Sequence, residues 1–191
     1  MTAPETDLVQ RAVGGDPDAT AGLLEAVRPG IVRYCRAHLG RVGGRYTTAD
    51  DVAQEVCLAV LHALPRFREQ GRPFAAFVYG IAAHKIADAQ RAAVRHLAVT
   101  PVDTVGDRQD STPGPEQQAI AQDLARRLSR LLRHLPDLHR EIVVLRVAVG
   151  LSAEEVGRTL DMSPGAVRVA QSRALARLRT LASTAFDEVP A

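Results

Sequence analysis

The sequence contains no tryptophan, only 4% aromatic residues, and two cysteines in 191 residues. Two thiols in a chain this long exclude a disulfide-stapled scaffold. No stretch approaches the ~18 consecutive apolar residues of a membrane span, and the opening residues MTAPETDLVQ carry no apolar signal core. There is no Walker loop, no G-x-S-x-G and no C-x-x-C, so nothing points to an enzyme. Charge of one sign is also scarce. The 24 basic and 22 acidic side chains leave a net charge of +2, too little by itself to announce a nucleic-acid binder. Lysine is nearly absent: Lys85 is the single Lys and every other basic residue is Arg. Arg suits phosphate and guanine edges, but a GC-rich codon bias accounts for the same excess.

The small total hides an uneven distribution. Residues 1–96 carry net +2, residues 97–115 net −2 and residues 116–191 net +2. The middle segment, LAVTPVDTVGDRQDSTPGP, holds Pro101, Pro113 and Pro115 and no sustained helical period. That composition predicts a flexible acidic linker between domains at 1–96 and 116–191. Both flanks read as helical, so the expected fold class is all-α, two small helical domains joined by a linker. In 48–64, Val52, Val56, Val60 and Ala63 recur at helical spacing, with Thr48 and Asp51 set for a capping box and Pro65 as the stop. Residues 73–94 repeat the pattern through Phe77, Ile81, Ile86 and Ala89. Residues 17–39 make one or two further helices, with Pro29-Gly30 as the possible break. The β-branched stretch 142–145, IVVL, reads as a buried helix because helices flank it.

The sharpest local signal lies in 152–179. Ser152 and Glu155 form a second capping box on a short helix, 152–160. Ser163 is a good N-cap and Pro164 suits a first helical position, so a second helix begins only about three residues after the first ends. Two short helices joined this tightly form a helix-turn-helix, with Val156, Leu160 and Val167 as apolar contacts and Gly157 allowing close approach. The second helix carries Arg168, Arg173, Arg177 and Arg179 between 164 and 182, and no acid. A solvated surface helix ordinarily intersperses Glu; this one reads as a major-groove recognition helix. Arg168, Gln171 and Arg173 can reach base edges. Arg177, Arg179 and the amides near Ser163 suit phosphate.

The N-terminal part offers two features. Asp51, Gln54 and Glu55 form an acidic, amide-bearing face on the 48–64 helix. No His or third carboxylate completes a catalytic or metal site there, so this is a partner-docking or solvated face. Second, Phe67, Phe74, Phe77 and Tyr79 cluster among Arg66, Arg68 and Arg72, with Lys85, Arg91 and Arg95 following. Aromatic rings beside cations suit unstacked bases. Phe74 and Phe77 are expected in the core and Phe67, in the polar loop RFREQGRP, is expected to touch a base. Cys35 and Cys57 read as buried thiols. His84 and Asp88 are four apart, but nothing completes a metal site; no cofactor is expected.

Taken together, these motifs resemble those of a bacterial RNA polymerase sigma factor of the extracytoplasmic-function (ECF) group. Ala49-Asp-Asp-Val-Ala-Gln-Glu-Val56 is similar to the family's docking helix. The segment Phe67-Arg68 through Phe74, Phe77, Ile81-Ala82, Ile86, Asp88 and Arg91 is similar to its −10 segment. Leu135-Pro136, Arg140 and Val143, then Gly150 through Glu155 and Gly165 to Arg179, are similar to its −35 domain. The resemblance spans about Asp7 to Ala182. It implies that 1–96 is a region 2 domain and 116–191 a region 4 domain. It further implies that Asp51, Gln54 and Glu55 dock on the clamp of the polymerase largest subunit. Arg66, Phe67, Arg68, His84, Lys85, Asp88 and Arg91 would hold melted −10 bases. Ser163, Arg168, Gln171, Arg173, Arg177 and Arg179 would engage −35 duplex. Asp103, Asp107 and Asp110 of the linker would either mimic RNA charge or remain a solvated loop. The implied partners are core polymerase, including its flap region, promoter DNA and an anti-sigma factor, with no membrane insertion and a bacterial cytoplasmic location. The sequence departs from the family's usual residues at His84 (Asn), Phe77 (Trp nearby), Gly157 (Ala) and Asp161 (Gly). The rival reading is a stand-alone helix-turn-helix regulator, which leaves the acidic face and the Phe67 loop without a role.

Overall fold

The computed structural model describes residues 3–39, 48–68, 73–97, 124 and 127–187. Among them every regular element is helical, as the period of the apolar residues requires. Helix α1 (Ala3–Val13) turns through Gly15, which holds a left-handed φ of 90°, into α2 (Pro17–Leu39). Asp16 organises this corner. Its Oδ1 accepts from the amides of Asp18 and Ala19 at 3.0 and 3.1 Å, and Arg11 donates twice to Oδ2. The Ala19 amide and the Arg11 guanidinium hold the Asp16 carboxyl below its ordinary value.

Helix α2 is a single helix of 23 residues with Pro29 inside it; the break that the Pro29-Gly30 pair allowed does not occur. Proline removes one backbone donor, and tertiary packing offsets that loss, because Gly30, Ile31, Tyr34 and Cys35 are all buried. Gly30 is required by close approach: a Cβ there would lie 2.4 Å from the Tyr79 hydroxyl. Helix α3 (Ala49–Ala63) starts at the expected capping box, with Thr48 Oγ1 accepting from the Asp51 amide at 3.1 Å and Asp51 accepting from the Thr48 amide at 2.9 Å. A 3-10 turn (Leu64–Arg66) introduced by Pro65 ends it, and α4 (Phe74–Leu97) follows. The segment 97–115, with Asp103, Asp107 and Asp110, and also Arg72, fall outside the residues whose side chains are described.

The C-terminal part opens with helical residues at 127–133 and continues as α5 (Asp137–Val143). The chain then widens into a π-helical turn, Val144–Val149, which ends at Gly150 with φ of 96°. The IVVL stretch is thus helical and buried as expected, with Ile142 and Leu145 fully inaccessible; the π-turn had no sequence signature. Helices α6 (Ala153–Leu160) and α7 (Pro164–Asp187) complete the described residues. One buried apolar cluster runs through both parts, joining Val56, Val60, Val78 and Ala82 to Ile142, Leu145, Val156 and Val167. A smaller cluster of Leu132, Leu135, Val143 and Ala174 holds α7 against α5.

Candidate nucleic-acid and polymerase interfaces

The α6–α7 unit is fixed by a cap at each helix start and by the turn between them. The Ser152–Glu155 capping box is formed, with the Glu155 amide donating to Ser152 Oγ at 3.1 Å and the Ser152 amide donating to Glu155 at 2.8 Å. Burial pushes the Glu155 carboxyl up, but the Ser152 hydrogen bonds outweigh it and the net shift is downward. Asp161 closes the helix in the left-handed region, φ 56°, a conformation that Asn and Asp tolerate better than most side chains. The Met162 amide then donates to the Gly157 carbonyl at 2.8 Å. This explains Gly157 more sharply than general helix proximity does: a Cβ there would meet the Met162 carbonyl oxygen at 2.5 Å. Ser163 caps α7 as expected, accepting from the Ala166 amide at 3.1 Å.

Val167, Ala170 and Ala174 turn inward from α7, while Arg168, Val169, Ser172, Arg173, Ala176, Arg177 and Arg179 are exposed. The acid-free stretch 164–182 of α7 therefore presents a basic outer face, as its composition suggested. Arg168 pairs with Glu154 on α6, and Arg177 leans back to the His134 carbonyl at 3.4 Å. Gln171 sits differently from expectation. It is half-buried at the edge of the inward seam, and its Oε1 accepts from Arg146 Nε at 3.0 Å. A guanidinium only donates, so the amide oxygen faces Arg146 and the NH2 faces away. Arg146 also donates to the Leu151 carbonyl. Val169 and Ser172 also lie on the outer face, where helical spacing from the buried Val167 puts them.

On the N-terminal side, α3 turns Val52, Val56 and Val60 inward and leaves Asp51, Gln54, Glu55, Leu58 and Leu61 exposed. The three expected docking residues share this stripe, and two leucines extend it. Asp51 is partly committed to the capping box. Glu55 lies 3.2 Å from Lys85 Nζ, which joins the docking stripe to α4. On α4, His84, Asp88, Arg91 and Arg95 are exposed at i, i+4, i+7 and i+11 spacing, one helix face. Arg91 pairs with Asp88, and a shallow groove runs along Ala87, Gln90, Arg91, Val94 and Arg95.

Phe67 corrects the expectation. Its ring is 8% exposed and packs on Phe74 and Phe77 at centroid distances of 5.4 and 5.0 Å. The polar residues around it suggested a loop tip, but the 3-10 turn at Leu64–Arg66 swings the ring inward, where three phenylalanines close the end of the core. Arg66 and Arg68 remain at the surface, Arg68 donating to the carbonyls of Pro65 and Phe67. Cys35 is fully buried and burial pushes its thiol up to about 12; Cys57 is only half-buried.

Comparisons with known proteins agree with this arrangement. The family model "Sigma-70 region 2" matches residues 23–96, and "Sigma-70, region 4" matches residues 131–180. The chain is 56% identical to the ECF RNA polymerase sigma factor ShbA of Streptomyces griseus, over 92% of this chain and 93% of that protein. It is 55% identical to the ECF RNA polymerase sigma factor SigD of Mycobacterium tuberculosis, over 90% of this chain and 81% of that one. Among solved structures, CnrH in complex with the cytosolic domain of CnrY matches with a TM-score of 0.66 and 25% identity, covering 93% of this chain and 96% of that one. With its helix-turn-helix at one end and its acidic α3 stripe at the other, the chain belongs to the ECF RNA polymerase sigma factors.

Proposed function

We propose that the chain is a non-catalytic specificity subunit whose residues divide the work of promoter selection among three surfaces. As an ECF sigma factor it directs core RNA polymerase to promoters. The unit 1–96 would dock on the polymerase and hold the melted −10 strand; the unit 116–191 would read the −35 duplex; 97–115 would link them. The observation that carries this division is the segregation of charge on the exposed faces: carboxylates on α3, an acid-free set of arginines on α7.

Gln54 and Glu55, with Asp51 beside them, form the docking stripe, and Leu58 and Leu61 supply apolar area for the polymerase clamp helices. On α4, His84, Asp88, Arg91 and the neighbouring Lys85 line the path of the single strand, with Arg66 and Arg68 at the entrance. A groove with cations on an apolar floor suits a strand whose bases are unstacked. Phe67 acts here through its packing, setting the position of Arg66 and Arg68. On α7, Arg168 and Arg173 face the groove edges, Ser163 with the first amides of the helix meets phosphate, and Arg177 and Arg179 add backbone contacts. Gln171 contributes its NH2 alone. Strand opening is then driven by binding of extruded bases.

The partner set follows the family: core polymerase, promoter DNA and an anti-sigma protein, met by this chain in the bacterial cytoplasm. The relative CnrH, solved with the cytosolic domain of CnrY, supports a protein partner of that kind. No helix among the described residues is long and apolar enough to cross a membrane. Retention by immobilised core polymerase tests the docking stripe. Wild-type chain is retained, and Gln54→Arg with Glu55→Arg abolishes retention while leaving the helical signal intact. Retention unaffected by both changes removes α3 as the docking surface. Asp51 is left unchanged in this test because its loss would also remove the helix cap.

A further inference from the structure

The middle of the outer face of α7 carries no charge. Gly165, Val169, Ser172 and Ala176 are all exposed, and their i, i+4, i+7 and i+11 spacing puts them in one strip along the helix. The strip lies opposite the buried Val167, Ala170 and Ala174. At about 100° per residue, Arg168 stands about 70° to one side of it and Arg173 about 70° to the other. The two guanidinium groups therefore flank the strip and leave its centre to small and apolar groups. Val169 is the largest side chain on the strip and is 51% exposed.

Valine has no donor or acceptor to offer a base edge. A cytosine or adenine amino group pressed against it would lose its water and gain no hydrogen bond, which is costly. One major-groove group suits it, the 5-methyl of thymine, which no other base presents. Contact between the two removes apolar surface of both from water. The approach is open as well. One turn before Val169, Gly165 leaves the backbone bare, and the fold does not require a glycine there: a Cβ would meet nothing nearer than Ser163 Oγ at 4.0 Å. Glycine within a helix is less stable than alanine, so the bare backbone is kept at some cost to the helix. A rise of ~1.5 Å per residue sets Arg168 and Arg173 about 7.5 Å apart along the axis, roughly two base-pair steps of ~3.4 Å.

We infer that Val169 is a specificity-determining residue of the −35 contact, selecting a thymine by its 5-methyl group within the steps that Arg168 and Arg173 bracket. The inference rests on the assignment of α7 to the −35 duplex above. Arginine reads hydrogen-bond acceptors, whereas Val169 reads apolar surface, so the two leave separate marks on base preference.

Deoxyuridine tests this, because it lacks only the 5-methyl of thymine and keeps every hydrogen-bonding group. Core polymerase carrying this chain is titrated with duplexes of a −35 sequence selected from a library, each thymine of either strand being replaced in turn, at one fixed salt concentration. At one position the replacement lowers wild-type affinity about fourfold, the effect of one buried methyl group. Val169→Ala lowers affinity for the thymine duplex by at least that factor and makes the thymine and deoxyuridine duplexes equivalent. Its melting temperature stays that of wild type, because the side chain is exposed. If no thymine responds in wild type, or if deoxyuridine costs Val169→Ala as much as it costs wild type, methyl reading by Val169 is overturned. Ordinary base substitutions in the same duplexes separate this failure from a deeper one. If they still change wild-type affinity, −35 reading by α7 stands without Val169; if they do not, that assignment fails as well.

Discussion

Arg168→Ala separates a reading role from a structural one. In the structure Arg168 has one side-chain partner, Glu154, and the two side chains are 59% and 54% exposed. An ion pair so open to solvent is screened and adds little to folding. The alanine chain should therefore keep its stability to within ~0.5 kcal/mol. In the promoter complex the same guanidinium would leave Glu154 and donate two N–H groups to a base edge, a contact worth ~1–3 kcal/mol of discrimination. That corresponds to roughly a 5- to 150-fold loss of affinity for the preferred −35 sequence. The loss should fall on one or two −35 positions and leave other positions as they were. Glu154→Gln should act oppositely, freeing the guanidinium and removing a negative charge beside the DNA, so that binding tightens across all sequences. The assay is holoenzyme binding to a library of −35 variants at one fixed salt concentration, beside thermal melting of the free chain. A uniform loss over the whole library would assign Arg168 to phosphate. A loss that tracks a fall in melting temperature would assign it to structure. Either result refutes base reading by Arg168.

Three further outcomes follow from the same geometry. Phe67→Ala should destabilise the chain by about 3–5 kcal/mol, the range for removing a core aromatic ring, whereas Arg66→Ala with Arg68→Ala should slow strand opening at unchanged melting temperature. Denaturant titration beside permanganate footprinting of the melted strand distinguishes the two. Arg146→Met releases Gln171 Oε1 and should alter base preference at a single −35 position, read from the same library; an unchanged profile means Gln171 touches no base. Acid should weaken the α6 corner. The folded-state values of Glu154 and Glu155 are lowered, so their contribution is present above the ordinary carboxylate value of 4.5 and is lost as pH falls below it through the lowered values. Melting temperature followed downward from pH 6 should fall in that window, and Glu155→Gln should reduce the slope.

The local chemistry of the helices was legible in the sequence because capping and periodicity act between near neighbours. Thr48 with Asp51, Ser152 with Glu155, and Ser163 before Pro164 each name a helix start, and each forms in the structure. Gly157 was legible as a point of close approach, though only the coordinates show that the Met162 carbonyl is what excludes a side chain. What was not legible depends on partners more than a hundred residues away. Nothing near Glu141 in the chain says that Tyr34 will donate to it, and nothing near Arg33 says that it will cap a helix ending at Val149. The unbroken course of α2 through Pro29 has the same origin, since burial of Gly30, Ile31 and Tyr34 outweighs a local break signal. Phe67 was misplaced because its neighbours are polar, while the direction of its ring is set by a 3-10 turn and by Phe74 and Phe77. On α7 composition located the basic helix, but the division of inner from outer face needed the buried seam, which moved Gln171 inward and Val169 and Ser172 outward.

Run-off transcription from a promoter library, with core polymerase alone and with core plus this chain, tests the central claim most directly. The account predicts start sites that appear only when the chain is added, share one −35 and one −10 sequence, and weaken when Arg168 or the Gln54–Glu55 pair is changed. Transcripts identical with and without the chain would contradict it.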